Sequence, residues 1–281
     1  MIDGALPYLR CPVCEDTLSR AGRSLRCPRG HSFDIARQGY ATLVRGRVPH
    51  AGDSAEMIDA RDAFLAAGHY RFMADAVIAA SPPVDGLVVD AGAGPGWYLA
   101  RLLDHRPEAI GLALDVSKPA LRRAARAHPR AAAVLADLWQ RLPVAGGSAQ
   151  LVVNVFAPRN GAEFHRVLQP GGVLVVITPA ADHLREPIAE HGLLTVDADK
   201  KERLARTVGP YFTAEHTESH HRRLDLTGDE MRTLIAMTPS ARHVSLDDLV
   251  PGTVTAAIDL TVFRRRDRPL PTPAADRDTA R

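Results

Sequence analysis

The sequence predicts an α/β chain, a mostly parallel doubly wound sheet with a small zinc-binding module in front of it. Three observations carry this. All three cysteines lie in the first 27 residues, with a histidine at metal-ligand spacing behind them. From residue 85 short apolar runs alternate with helical patterns, the rhythm of βαβ units. The first of those runs ends in a glycine-rich loop, DAGAGPG.

Composition sets the frame. At 281 residues the chain suits one large domain or two smaller ones. With 46% hydrophobic and 24% charged residues it is not a disordered chain. No apolar run approaches the ~20 residues that span a bilayer, so no membrane partner is expected. Residues 1–10 carry no charged-then-apolar leader, and the expected location is the cytoplasm. The net charge of +2 is uneven: residues 1–50 hold eight Arg against four acids, so the rest of the chain is slightly acidic. A basic N-terminal piece points to an anionic partner, or to a plain solvated surface in a chain with only three Lys.

Residues 1–35 read as a zinc-binding module. Cys11, Cys14, Cys27 and His31 form C-x2-C-x12-C-x3-H. Two tight pairs of soft or borderline ligands suit tetrahedral zinc, and no open position is evident, so the zinc is structural. The segment is too short to bury a core of its own, and the metal supplies folding energy instead. The Arg residues between the ligands are then displayed toward phosphates.

Residues 36–84 read as a basic linker and helical connector. Asp53 and Glu56 have capping-box spacing, with Met57, Arg61, Phe64 and Leu65 following along a helix. Gly68-His69-Tyr70 joins it to a second helix that runs to Pro82-Pro83. In the main domain, residues 85–263, strands are predicted at 87–90, 110–115, 132–136, 151–155 and 173–177. Helices are predicted at 97–103, 119–127 and 162–168, with a turn at Pro170-Gly171-Gly172. A late helix covers 231–237, and 253–263 alternates in places like an edge strand. Residues 264–281, charged and Pro-rich, read as a disordered tail.

The glycine loop narrows the chemistry. Asp90, Gly92, Gly94 and Gly96 sit where the first strand runs into a helix, and glycine lets backbone approach a ligand closely there. A dinucleotide would want a small third residue in G-x-G-x-x-G, and Trp97 occupies that place. The pattern D-x-G-x-G-x-G instead resembles motif I of class I S-adenosylmethionine-dependent methyltransferases. Asp115, ending the second strand, then suits both ribose hydroxyls, and Asp137, after the third, the adenine amino group. Strand-end turns alone would also account for both. The fourth strand ends in Asn154-Val155-Phe156-Ala157-Pro158. It lacks the Asn/Asp-Pro-Pro-aromatic motif frequent in enzymes that methylate exocyclic amines, which leaves a ring nitrogen or another acceptor.

Taken in order, CPVC, CPRGHSFD, GDSAEM, AGHY, the glycine loop, GLALDVSK, NVFAP and TPAADHL resemble the bacterial 23S rRNA guanine-N1-methyltransferases over nearly all of residues 10–263. The resemblance implies a class I methyltransferase fold with an N-terminal zinc ribbon. It implies S-adenosylmethionine and structural zinc as cofactors and 23S rRNA as partner, with residues 1–35 as the module that helps recognise the RNA. It implies methylation of a guanine in a hairpin at the peptide exit tunnel. One branch of the family confers resistance to tylosin-type macrolides; the other, housekeeping branch modifies a neighbouring guanine. The Ala- and Arg-rich composition tilts the reading to the resistance branch. Cofactor contacts are implied at Tyr70, Gly96-Trp97 and His183, each of which also has a packing or loop reading. A homodimer is a further expectation, since two zinc modules would grip one folded RNA.

From strand-end position alone, Asn154 and the backbone of Phe156-Ala157 are expected to hold the guanine edge, with the Phe156 ring stacked on it. Arg23, Arg26, Arg29, Arg37, Arg45 and Arg47 are the expected phosphate contacts. The alternatives are a small-molecule methyltransferase buttressed by the zinc ribbon, and a non-catalytic zinc protein that binds nucleic acid.

Overall fold

The structure is a computed structural model, and it describes residues 2–46, 52–193, 200–246 and 249–270. The chain opens with a short helix α1 (Ile2–Ala5) and a 3₁₀ turn, Leu6–Tyr8. The strands β1 (Ser19–Ala21), β2 (Ser24–Arg26) and β3 (Ser32–Asp34) form a separate antiparallel sheet. Gly22, with φ of 61°, makes the tight turn between β1 and β2. The module is not a free appendage. Leu9, Leu18, Leu25 and Ile35 are buried in one core with Leu112, Val134 and Leu142 of the main domain. The Arg10 N–H donates to Pro143 O at 3.0 Å, and the Ala145 N–H donates to Tyr8 O at 2.8 Å.

The predicted linker also contributes a strand. β4 (Ala41–Thr42) pairs in parallel with the edge of the main sheet. Two helices follow, α2 (Ala55–Ala66) and α3 (Arg71–Ala80). The cap of α2 is Ser54, whose hydroxyl accepts from the Met57 N–H. The sequence had suggested Asp53 by its spacing from Glu56, but that carboxylate turns to Arg61 at 2.5 Å.

The main domain runs β5 (Leu87–Ala91), α4 (Trp97–Asp104), β6 (Ile110–Asp115), α5 (Lys118–Ala127), β7 (Ala131–Leu135) and β8 (Ala149–Val155). Then come α6 (Gly161–Val167), β9 (Leu168–Pro179), α7 (Arg185–His191), α8 (Lys200–Val208), β10 (Phe212–Leu226), α9 (Gly228–Ala236) and β11 (Gly252–Arg265). The eight-stranded sheet has the order β10-β11-β9-β8-β5-β6-β7-β4. β4 through β9 are parallel to one another, and β11 is inserted antiparallel between β9 and β10. Alternate residues of β5 feed two cores: Val88 faces the helical side with Leu99 and Leu121, while Leu87 and Val89 face the side that the zinc module and Phe164 of α6 cover. The strand order reverses between β5 and β8, and open sheets of this kind bind ligands at the carboxyl ends there.

Three differences from the sequence reading have physical reasons. The stretch expected as an edge strand, β11, lies inside the sheet, and its residues Val254–Val262 pack on both faces in a nearly continuous run of buried side chains. The true edge is β10, whose TESHHRRLD run is polar on both faces and shows no apolar alternation. The Pro170-Gly171-Gly172 turn is a register shift within β9: Ala149 pairs with Leu168, and pairing resumes at Leu151 with Val173. β11 also continues into Arg264 and Arg265, the first residues of the expected tail, while residues 271–281 lie outside the described chain. Among the described residues no helix is long and apolar enough to cross a membrane.

Candidate active site and zinc site

Cys11, Cys14, Cys27 and His31 converge, their ligand atoms all within 4.8 Å of one another. The CPVC and CPRG turns bring each pair inward, and the β1–β3 sheet holds the pairs together. Cys14 Sγ lies 3.6 Å from Cys27 Sγ, and His31 Nδ1 lies 3.3 Å from Cys27 Sγ and 3.6 Å from Cys11 Sγ. Ligands about 2.0–2.3 Å from one tetrahedral ion stand about 3.5 Å apart, which these three separations match. Three thiols and an imidazole are also the donor set that zinc prefers. It is the only such group among the described residues.

The second site is a cavity of about 720 Å³ over the carboxyl ends of β5, β6 and β8. That lies well within the ~300–1,000 Å³ of small-molecule sites. Its walls come from distant stretches: residues 52–70, the glycine loop, the ends of β6 and β7, residues 155–158, residues 179–193 and residues 237–240.

One end is acidic. Asp90, Asp115 and Asp137 all line it, together with Asp53. Asp90 is 2% exposed, and its Oδ2 has no hydrogen-bond partner. Burial pushes this carboxyl up to about 7, and the charge of Asp115 adds to the effect. Asp115 is raised by burial too, although the N–H groups of Ser117 and Gly94 donate to its oxygens, each at 2.8 Å, and oppose the shift. Asp137 ties down its own loop, accepting from the Trp139 N–H at 2.9 Å and the Gln140 Nε2 at 3.2 Å. Arg61 reaches into this end from α2. It is held by Asp53 and by Met237 O, to which its Nη2 donates at 3.0 Å.

The glycines divide their work. Gly92 and Gly94 line the cavity; Gly96 does not. Gly92 has φ of 82°, and a Cβ there would meet the Ala157 Cβ at 2.3 Å, so its absence lets residues 156–158 close on the glycine loop. Gly96, at φ of 80°, caps α4 and allows α4 to pack on Ala124 of α5. Of the expected pair Gly96-Trp97, only Trp97 lines the cavity, with the Arg101 guanidinium 4.3 Å from its ring centroid.

The other end is aromatic. Tyr70, Phe156 and His183 line it, with His183 between the two rings at centroid distances of 6.3 and 5.5 Å. The Ala257 N–H donates to His183 Nδ1 at 3.1 Å, which leaves the imidazole hydrogen on Nε2. Phe156 is held at φ of 52° and Leu184 at 58°; of the three non-glycine residues with positive φ among the described residues, these two line the cavity. Such strain costs about 1–3 kcal/mol and gathers where a side chain must be aimed.

Asn154 departs from its expected place. It is fully buried and lies behind the cavity wall, its Nδ2 donating to Ala91 O at 2.9 Å and Pro158 O at 3.0 Å. It thus ties residues 155–158 to the end of β5; it is not among the residues that line the cavity, and its Oδ1 has no hydrogen-bond partner. Two features escaped the sequence reading. Arg61 was noted only as a helix position, yet a guanidinium between the apolar Met57 and Phe64–Leu65 on an inward face was a usable signal. The Met237–Ser240 wall had no local signal, since about 150 residues separate it from the glycine loop.

Of the expected phosphate contacts, Arg23, Arg26, Arg37 and Arg45 are exposed and enter no ion pair among the described residues. Arg29 is exposed and pairs with Asp16 at 2.9 Å. Arg47 lies outside the described residues.

Comparisons with known proteins agree with this layout. Residues 9–45 match the RlmA N-terminal zinc-ribbon family, and residues 88–172 match a methyltransferase domain family. The chain is 52% identical to a protein of Micromonospora griseorubida named as a 23S rRNA (guanine-N(1)-)-methyltransferase, over 92% of this chain and 98% of that one. It is 45% identical to the 23S rRNA (guanine(748)-N(1))-methyltransferase of Streptomyces fradiae, over 94% and 98%. A Bacillus subtilis relative with the same activity in its name is 30% identical, over 90% and 95%. Among solved structures, the YcgJ protein of Bacillus subtilis matches with a TM-score of 0.52 at 14% identity, over 70% of this chain and 99% of that one. A Haloferax volcanii complex of a methyltransferase with its Trm112 activator matches with a TM-score of 0.51 at 18% identity, over 76% and 99%. These two likenesses concern the fold.

Proposed function

The chain belongs to the family of 23S rRNA guanine-N1-methyltransferases, and from that premise we propose that it transfers a methyl group from S-adenosylmethionine to N1 of one guanine in a 23S rRNA hairpin at the peptide exit tunnel. The observation that carries the reading is the near-full-length likeness, 52% and 45%, to two relatives named for this reaction. The cavity supports it, with one anionic end and one aromatic end. Because the Streptomyces fradiae relative is named for guanine 748, the reading takes the equivalent guanine as the target, with resistance to tylosin-type macrolides as the outcome. Work on ribosomal RNA also implies the cytoplasm.

S-adenosylmethionine, when bound, supplies a methyl group on a positively charged sulfur. The acidic end is suited to it. The orphaned Asp90 Oδ2 would meet the ammonium of the amino-acid moiety, and Arg61 beside Gly94 would meet its carboxylate. Asp115 would take the ribose hydroxyls and Asp137 the adenine amino group. Tyr70 and Trp97 present rings to the cationic region.

Guanine N1 lies on the Watson–Crick edge, so the base must leave its pair and enter the cavity. Phe156 stacks on it, its strained backbone aiming the ring inward. N1 becomes nucleophilic only as its proton leaves, and negative charge then gathers on O6. His183, with its hydrogen on Nε2, is a donor suited to that oxygen. The four lining carboxylates all lie at the acidic end, so solvent at the cavity mouth takes that proton while the chain stabilises the charge left on the base; the N1–carbon bond would form as the sulfur–carbon bond breaks, its electron pair staying on sulfur.

The zinc module is read as the RNA-gripping element. Replacing Arg23, Arg26, Arg37 and Arg45 by Ala should weaken hairpin binding and flatten its salt dependence by roughly 0.7–0.9 per lost phosphate contact. An unchanged slope would remove the module as the reader. A homodimer belongs to the same reading, and sedimentation showing only monomer at working concentration would remove that part. The reaction itself is tested by nucleoside analysis of unmodified 23S rRNA after incubation with protein and cofactor. 1-Methylguanosine should appear once per molecule, and its absence with a zinc-loaded, cofactor-binding protein would shift the reading to a small-molecule acceptor.

A further inference from the structure

We propose that Trp139 and Arg159 form a lip at the cavity mouth that grips single-stranded RNA next to the target guanine, Trp139 stacking on a neighbouring base and Arg159 taking a backbone phosphate. The proposal rests on the reading that the acceptor is RNA.

Trp139 is 58% exposed. Of the five large exposed hydrophobic residues among those described, only Trp139 and Phe156 line the cavity. A single exposed aromatic needs no explanation by itself. Here, however, the indole is held out on a braced loop. Leu138 beneath it is buried, Asp137 accepts the Trp139 N–H, and Asn160 Nδ2 donates to Leu138 O at 3.0 Å. Rigid presentation of a large flat ring suits stacking, which tolerates any base.

Arg159 is the second element; it follows Pro158 and does not itself line the cavity. Arg159 sits beside Asn160, next to Pro158 of the cavity wall. It forms no ion pair among the described residues, and its Nε is enclosed without a hydrogen-bond partner. Burial and the neighbouring charge of Arg203, another cation, both bear on it in the unfavourable sense. A half-buried guanidinium whose Nε lacks a hydrogen-bond partner is stabilised when an anion joins it. A phosphate flanking the extruded base supplies that anion, in the bidentate geometry that arginine favours.

The lip also continues toward the zinc module. Arg141, two residues past Trp139, pairs with Glu15 at 2.6 Å, and Val144 bridges to Leu9. One strand of RNA can therefore be held at the module and at the mouth.

The test compares Trp139→Ala, Trp139→Phe and Arg159→Ala with the parent protein. Binding of a 23S rRNA hairpin transcript is followed by fluorescence anisotropy over a salt series, binding of S-adenosylmethionine by calorimetry, and methyl transfer with labelled cofactor. Trp139→Ala should weaken RNA binding by at least about 5-fold, as loss of one stacked base does, and Trp139→Phe should restore most of it. Arg159→Ala should weaken binding and lower the salt slope by roughly 0.7. Cofactor affinity should stay within about twofold of the parent. Parental RNA affinity in both alanine variants would overturn the lip, as would loss of cofactor binding alone in Trp139→Ala, which would assign the indole to the adenine. If the variants lose RNA affinity while the parent methylates no rRNA, the lip stands and the proposed reaction falls. If the parent methylates rRNA and the variants bind it normally, the reverse holds.

Discussion

At Gly92 a methyl group would lie 2.3 Å from the Ala157 Cβ, on a backbone with φ of 82°. Gly92→Ala should therefore push residues 156–158 off the glycine loop. We expect a loss of about 1–3 kcal/mol in stability, read by thermal melting, and a larger proportional loss of cofactor affinity. Asp90 makes a prediction in pH. Its carboxyl is raised in the fold from 3.8 to about 7. The stability tied to its protonated form is fully present below about pH 4 and is lost as pH rises through 7. Melting of the ligand-free protein should fall over that window, and Asp90→Asn should flatten the fall. Cofactor affinity should move oppositely, tightening as Asp90 ionises to meet a cation, and should lose that pH dependence in Asp90→Asn. Asn154→Ala removes two buried hydrogen bonds at once. It should cost about 1–3 kcal/mol and lower turnover by displacing Phe156, with cofactor affinity less affected.

At the scale of elements, the zinc module and the sheet share one core, so metal loss should reach beyond the module. Chelation should deprotect β1–β3 in hydrogen exchange. It should also lower the melting temperature by on the order of 5–10 °C, the effect of a few kcal/mol in a chain of this size. Local loosening with unchanged melting would mean that the module is merely attached. The same scale explains what the sequence disclosed. The parallel strands β5–β9 were legible because burial on both faces writes unbroken apolar runs such as LVVDA and AAAVL. β10 was not, because an edge strand solvated on both faces has no alternation to read. The metal ligands were legible because four residues in two pairs state their own geometry. Among the cavity residues, Asp90, Asp115 and Asp137 were legible from strand-end position, which fixes the Cα. Asn154 had the same signal, yet its side chain points inward, and strand-end position does not fix direction. Arg61 and residues 237–240 enter through tertiary packing across the chain, which no local pattern records.

For the whole molecule, the arrangement joins a cavity at the reversal point of the sheet to a basic module docked beside its mouth. Residues 137–146 connect the two, running from Asp137 at the acidic end of the cavity through Trp139 to the docking contacts of Arg141 and Val144. The most direct test is primer extension on 23S rRNA lacking the modification, after reaction with zinc-loaded protein and S-adenosylmethionine. Methylation at N1 blocks the Watson–Crick edge and arrests the copying enzyme. The account predicts one new stop, next to the guanine equivalent to that named for the Streptomyces fradiae relative, and none when cofactor is omitted. Full-length copies from RNA incubated with cofactor-competent protein would contradict it.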